Sequence, residues 1–85
     1  MGVHVENRIE RIYTDRECFY VRLVSPQFTP KDGYFKVELT HPNYNALYSL
    51  AMYAAANRMK IHVRTEQDIT PTEHGIVSYM HMEWL

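Results

Sequence analysis

His41-Pro42-Asn43-Tyr44-Asn45-Ala46-Leu47-Tyr48-Ser49-Leu50-Ala51-Met52-Tyr53-Ala54-Ala55-Ala56-Asn57-Arg58 is the stretch whose reading decides the fold, because it is the only long helical pattern in a chain of otherwise alternating residues. Proline suits the first helical position, where its missing N–H has no partner to lose. The residues from Asn43 onward are good helix formers with no β-branched side chain among them. Arg58 and Lys60 stand at the far end, where cations complement the helix dipole.

Strand patterns lie on both sides of this segment. Val3–Thr14 has Val3, Val5, Ile9 and Tyr13 set among Glu6, Arg8, Glu10 and Arg11; Ile12 breaks the alternation, which predicts a bulge near Arg11. Thr14–Glu17 is a polar turn. In Cys18–Val24, Phe19, Val21 and Leu23 share one face, with Cys18, Tyr20, Arg22 and Val24 on the other. Ser25–Gly33 carries two prolines and an Asp-Gly pair and reads as a loop. Tyr34–Thr40 alternates cleanly, with Phe35, Val37 and Leu39 against Tyr34, Lys36, Glu38 and Thr40. Beyond the helix, Lys60–Thr65 is a short strand, Glu66–Gly75 a polar loop, and Ile76–Leu85 a last strand with Ile76, Ser78, Met80, Met82 and Trp84 on one side. The expected class is a mostly β protein with one helix (α+β), in the order β-β-β-α-β-β, with the first three strands as an antiparallel meander.

The 85 residues make one domain, 1–85. Nine Lys and Arg against ten Asp and Glu give a net charge of −1, which supplies no field for DNA or an acidic membrane. Cys18 is the single cysteine, so no internal disulfide is available. The opening residues lack the basic and apolar regions of a signal peptide, so the expected location is cytoplasmic, or secreted if a leader has been removed. No apolar run is long enough to span a bilayer.

The charge pattern carries most of the functional information. No Asp, Glu, Lys or Arg occurs between Glu38 and Arg58. At 100° per residue, Tyr44, Leu47, Leu50, Ala51, Ala54 and Ala55 form a face for the sheet, while Asn45, Ser49, Met52, Tyr53 and Ala56 form the opposite face. A solvent-facing helix normally places Lys, Glu or Arg there. Small and neutral side chains instead suit close packing against another protein surface, most simply a copy of the same chain. A domain this short gains much from shared burial, so a homo-oligomer with these five residues in its interface is the expected assembly.

The element order is that of the oligonucleotide/oligosaccharide-binding (OB) barrel, so the expected architecture is an OB-fold-like five-stranded barrel. The run Pro42-Asn43-Tyr44 … Leu47-Tyr48-Ser49-Leu50-Ala51 … Ala54-Ala55-Ala56-Asn57-Arg58 … Ile61-His62-Val63-Arg64 resembles the helix-to-strand segment of small pentameric OB proteins, the B subunits of AB-type bacterial toxins such as the subtilase cytotoxin B group. That resemblance implies a ring-forming binding module whose helix lines the ring and whose neighbouring subunits pair edge strands. It carries over no sugar-contact residue, and fold alone does not fix the ligand.

Candidate ligand residues come from the chain's own pattern. Tyr20, Arg22, Tyr34 and Lys36 form an outward row on the second and third strands, and aromatic rings beside cations suit stacked ligands. Tyr79 faces the same way as His81 and Glu83 and is a further contact candidate, whereas Trp84 falls in with Met80 and Met82 as packing. Of the histidines His4, His41, His62, His74 and His81, only His62 and His81 become neighbours if the last two strands pair; no compact ligand spacing occurs, so no metal and no cofactor are expected. Cys18 and Ser78 lie in no nucleophile motif, and neither a G-x-x-x-x-G-K-[ST] loop nor a G-x-G-x-x-G turn occurs, so no catalytic residue is assigned. The expected function is a non-enzymatic, homo-oligomeric binding or structural module for a glycan or a larger protein partner. The alternative is a single-stranded nucleic-acid-binding OB protein.

Overall fold

The computed structural model describes residues 2–24, 30, 33–70 and 72–83. The strands are β1 (His4–Thr14), β2 (Cys18–Leu23), β3 (Tyr34–Glu38), β4 (Lys60–Thr65) and β5 (Gly75–His81), with the helix α1 (Tyr44–Ala56) between β3 and β4. They close in the order β1-β2-β3-β5-β4. All ladders are antiparallel except β3–β5, which is parallel and two pairs long, Phe35 with Gly75 and Lys36 with Ile76. The expected OB-like barrel and element order are therefore present.

Alternation drives the core. Phe19, Val21 and Leu23 of β2, Phe35 and Val37 of β3, Ile61 and Val63 of β4, and Val5 of β1 all point inward and are buried. The helix rests mainly on β1 and presents Leu47, Ala51 and Ala54 to this core. Tyr44 and Tyr48 each meet Phe19 edge to face, at 5.4 and 5.2 Å between ring centres. Gly75 lets the β3–β5 seam close tightly, since a Cβ there would lie 3.0 Å from the Phe35 ring.

Three departures from simple alternation matter for the outer surface. The β1–β2 register slips between Ile9 and Arg11, at the expected bulge. Beyond it Ile12 turns toward the core and Tyr13 outward, so Tyr13 does not share the face of Val5 and Ile9. Leu39 does not join Phe35 and Val37 in the core either: β3 ends at Glu38, the chain turns, and Leu39 is exposed. In β5 the register slips between the Arg64–Tyr79 and Thr65–Val77 pairs, leaving Ser78 as the extra residue. Gly75 and Val77 consequently face inward with Met80 and Met82, while Ile76 and Ser78 are only half-buried. Trp84, assigned to that face from sequence, lies outside the described residues, as do most of the Ser25–Gly33 loop and Pro71.

His41 ties the start of α1 to this second bulge. Its Nε2 donates to the Ser78 carbonyl at 2.8 Å and its Nδ1 accepts the Asn43 N–H at 3.0 Å. The neutral Nε2–H tautomer satisfies both bonds. The other end of α1 closes with a 6→1 bond from the Met59 N–H to the Ala54 carbonyl and a 5→2 bond from the Arg58 N–H to the Ala55 carbonyl. Arg58 occupies the left-handed position of this motif, with φ 53°. Glycine adopts that conformation without a Cβ clash. Arg58→Gly is therefore expected to raise stability by roughly 0.5–1 kcal/mol, measured as a higher urea midpoint at unchanged slope.

Candidate functional site

The β1 bulge and the β2–β3 ladder assemble an aromatic cluster on the outer face of the barrel. Tyr20 pairs with Tyr13 on β1 and with Lys36 on β3, and Arg22 pairs with Tyr34. Tyr13 and Tyr20 lie edge to face at 4.9 Å, and Tyr34 lies 5.8 Å from each of them. His74, in the loop leading to β5, adds a fourth ring, 5.1 Å from Tyr20 and 6.2 Å from Tyr34. These four residues line an open recess of about 240 Å³. Edge-to-face contacts hold the rings at fixed angles to one another, so the recess is already shaped without a ligand.

Cations stand around the rings rather than among them. Arg11 Nη1 donates to the Tyr34 hydroxyl at 3.0 Å, which raises the Arg11 pKa further. The Arg22 guanidinium lies 5.9 Å from the centre of the Tyr34 ring, and its Nε is 3.6 Å from Glu10 Oε1. Both partners of that pair are about half exposed, so it adds little stability. Its effect is to offset the positive charge beside the recess. The Tyr20 phenol is pushed up to about 12 by its side-chain hydrogen bond with Cys18, then by burial. Tyr20 therefore stays neutral at any physiological pH and offers a hydroxyl rather than a charge.

On the other flank, Tyr20 and Lys36 border a wider depression of about 460 Å³ with Asp15, Arg16, Glu17, Cys18 and Glu38. Three of the side chains at its rim are carboxylates. A phosphate chain leaving the aromatic recess in this direction would meet like charge.

The structure thus brings together Tyr20, Arg22, Tyr34 and Lys36, the row read from sequence. It also adds two residues that sequence reasoning missed. Tyr13 becomes available once the bulge is counted through, because the inserted residue reverses the phase of the strand beyond it. His74 has no local signal, since a loop residue carries no periodicity. Tyr79 is not in this recess: it is exposed on β5, 6.3 Å from the His81 ring.

The helix stripe Asn45, Ser49, Met52, Tyr53 and Ala56 is exposed on the single subunit, with Met52 and Tyr53 each 45% accessible. Of the face assigned to the sheet, Leu47, Ala51 and Ala54 are buried while Tyr44, Leu50 and Ala55 are half-buried, as is Tyr48, which the spacing had not placed there. The described chain thus carries two distinct outer features, an aromatic recess on the meander and a neutral stripe on the helix. Among the described residues no helix is long and apolar enough to cross a membrane. No protein-family model matches the chain, and neither do curated proteins or solved structures.

Proposed function

We propose that this protein is a non-enzymatic binding module that assembles with copies of itself, as ring-forming OB proteins do, and holds a neutral glycan against the Tyr13–Tyr20–Tyr34–His74 recess. The observation that carries this reading is the recess itself: four rings from three strands and a loop, converging around about 240 Å³. A sugar ring offers apolar C–H faces and hydroxyl edges, and tyrosines match both with an aromatic face and a polar tip. The uncharged helix stripe supports the assembly half of the reading. A ring of subunits would repeat the recess and add avidity to weak single-site binding.

Arg11, Arg22 and Lys36 favour a second reading, a single-stranded nucleic acid stacked on the same tyrosines. The net charge of −1, the Glu10 partner of Arg22 and the carboxylates beside Lys36 all oppose it.

A glycan array printed with neutral and sialylated oligosaccharides, run beside oligo(dT) and oligo(dA) titrations, separates the two. The expected result is binding to a subset of neutral glycans that is insensitive to salt and drops roughly 5- to 150-fold in Tyr20→Ala and in Tyr34→Ala, on the scale of the ~1–3 kcal/mol lost when a ring that stacks on a nucleobase is removed. Oligonucleotide binding that falls steeply with salt, with no glycan bound, would install the second reading. Binding to neither would remove both.

A further inference from the structure

We propose that His4, His62 and His81 form a three-histidine site for a divalent transition metal, with zinc as the fitting ion. The site lies on β1, β4 and β5, apart from the aromatic recess, and does not depend on the glycan reading. Strand pairing creates it. His62 stands opposite His81 in the β4–β5 ladder and opposite Glu6 in the β1–β4 ladder, and His4 is two residues from Glu6 on the same outward face.

The geometry is compact. Ring centres are 4.2 Å apart for His62 and His81, 5.1 Å for His4 and His62, and 6.0 Å for His4 and His81. One nitrogen from each ring lies within 4.8 Å of the others. His4 Nε2 and His62 Nδ1 are only 3.0 Å apart. A tetrahedral zinc with Zn–N bonds of 2.0–2.1 Å holds its nitrogens about 3.4 Å from one another. The observed spacings, from 3.0 Å up to 4.8 Å, bracket that value.

Two further observations separate this cluster from three imidazoles that merely touch. His81 Nε2 is buried and has no hydrogen-bond partner. A buried polar atom left unsatisfied destabilises the fold, and a metal ion is a partner that three converging imidazoles would share. In addition, Glu6 Oε2 lies 3.5 Å from His62 Nε2. A carboxylate on that side of the ring favours the Nε2–H tautomer and leaves Nδ1 as an acceptor, here of the hydrogen bond with His4 Nε2 that an incoming metal would replace. The donor set is all imidazole, which suits zinc, copper or nickel and not calcium or magnesium. Three protein ligands leave a fourth position for water or for a donor from a bound molecule.

The test uses the full chain after stripping with EDTA, titrated with ZnCl₂ by calorimetry and with CoCl₂ by visible spectroscopy. The expected result is one ion per chain, the intense visible bands of tetrahedral Co²⁺, and a rise in Tm on adding zinc. His81→Leu removes a ligand together with the unsatisfied nitrogen, so its metal-free fold should hold while zinc affinity falls at least about 100-fold. Glu6→Gln keeps all three ligands and should weaken binding roughly tenfold. CaCl₂ and MgCl₂ should leave Tm unchanged. Zinc raising the Tm of His81→Leu as much as that of the parent chain would overturn the site. So would a folded parent chain that shows no zinc heat and no cobalt spectrum.

Discussion

Ala56→Glu is expected to convert the proposed assembly into single subunits of 10.1 kDa. Ala56 belongs to the neutral stripe with Asn45, Ser49, Met52 and Tyr53 and is exposed on the isolated subunit. A carboxylate there stays in water in the monomer but loses its hydration wherever the stripe packs on a sister helix. An unpaired ion buried in such a contact carries an effective penalty of several kcal/mol, repeated at every interface of a closed ring. The fold itself should survive, because a surface change in the last helical turn, even against the dipole, costs only about 0.3–1 kcal/mol. Light scattering coupled to size exclusion at micromolar concentration reads the outcome: a multi-subunit mass for the parent chain and for Ala56→Ser, a monomer for Ala56→Glu. A parent chain that already runs as a monomer, or a Glu variant that keeps the parent mass, would refute the assembly.

The largest loss of stability is expected from Phe19→Ala. Phe19 has no exposed surface, pairs with Val37 in the β2–β3 ladder and packs edge to face with both Tyr44 and Tyr48 of the helix. It joins the barrel to the element that rests on it, so the cavity left by its removal opens on both. Truncating a buried phenylalanine costs about 3–5 kcal/mol, against a total of about 4–13 kcal/mol for a domain of this length. Urea unfolding followed by far-UV circular dichroism should show a midpoint reduced by a third or more, with helix and sheet lost together. A loss under about 1.5 kcal/mol would mean that the helix docks through other contacts.

Much of this protein was legible as spacing. Alternation in β2 and β3 placed Phe19, Val21, Leu23, Phe35 and Val37 inside and Tyr20, Arg22, Tyr34 and Lys36 outside, as the structure has them. A helix without Asp, Glu, Lys or Arg on its outer stripe stood out for the same reason, since helical period and strand period assign each side chain to a face before any tertiary contact forms. The β1 irregularity was also visible, because Ile12 could not share a face with Val5 and Ile9 on an unbroken strand.

Faces beyond a bulge were not legible. One inserted residue inverts everything after it, so Tyr13 moved out and Val77 moved in. Leu39 was misplaced for a different reason: the end of β3 is set by the turn that carries the chain to α1, not by the residue's own hydrophobicity.

By itself, then, the order of amino acids determined the element succession, the inner row of each unbroken strand and the neutral outer stripe of the helix. Only the tertiary structure decided which side chains meet across the strands when the ring closes beyond the β1–β2–β3 meander. Local periodicity says which way a side chain points but not what lies beside it. That second fact joined Tyr13 and His74 to Tyr20 and Tyr34, and placed His4 beside His62 across 58 residues of chain.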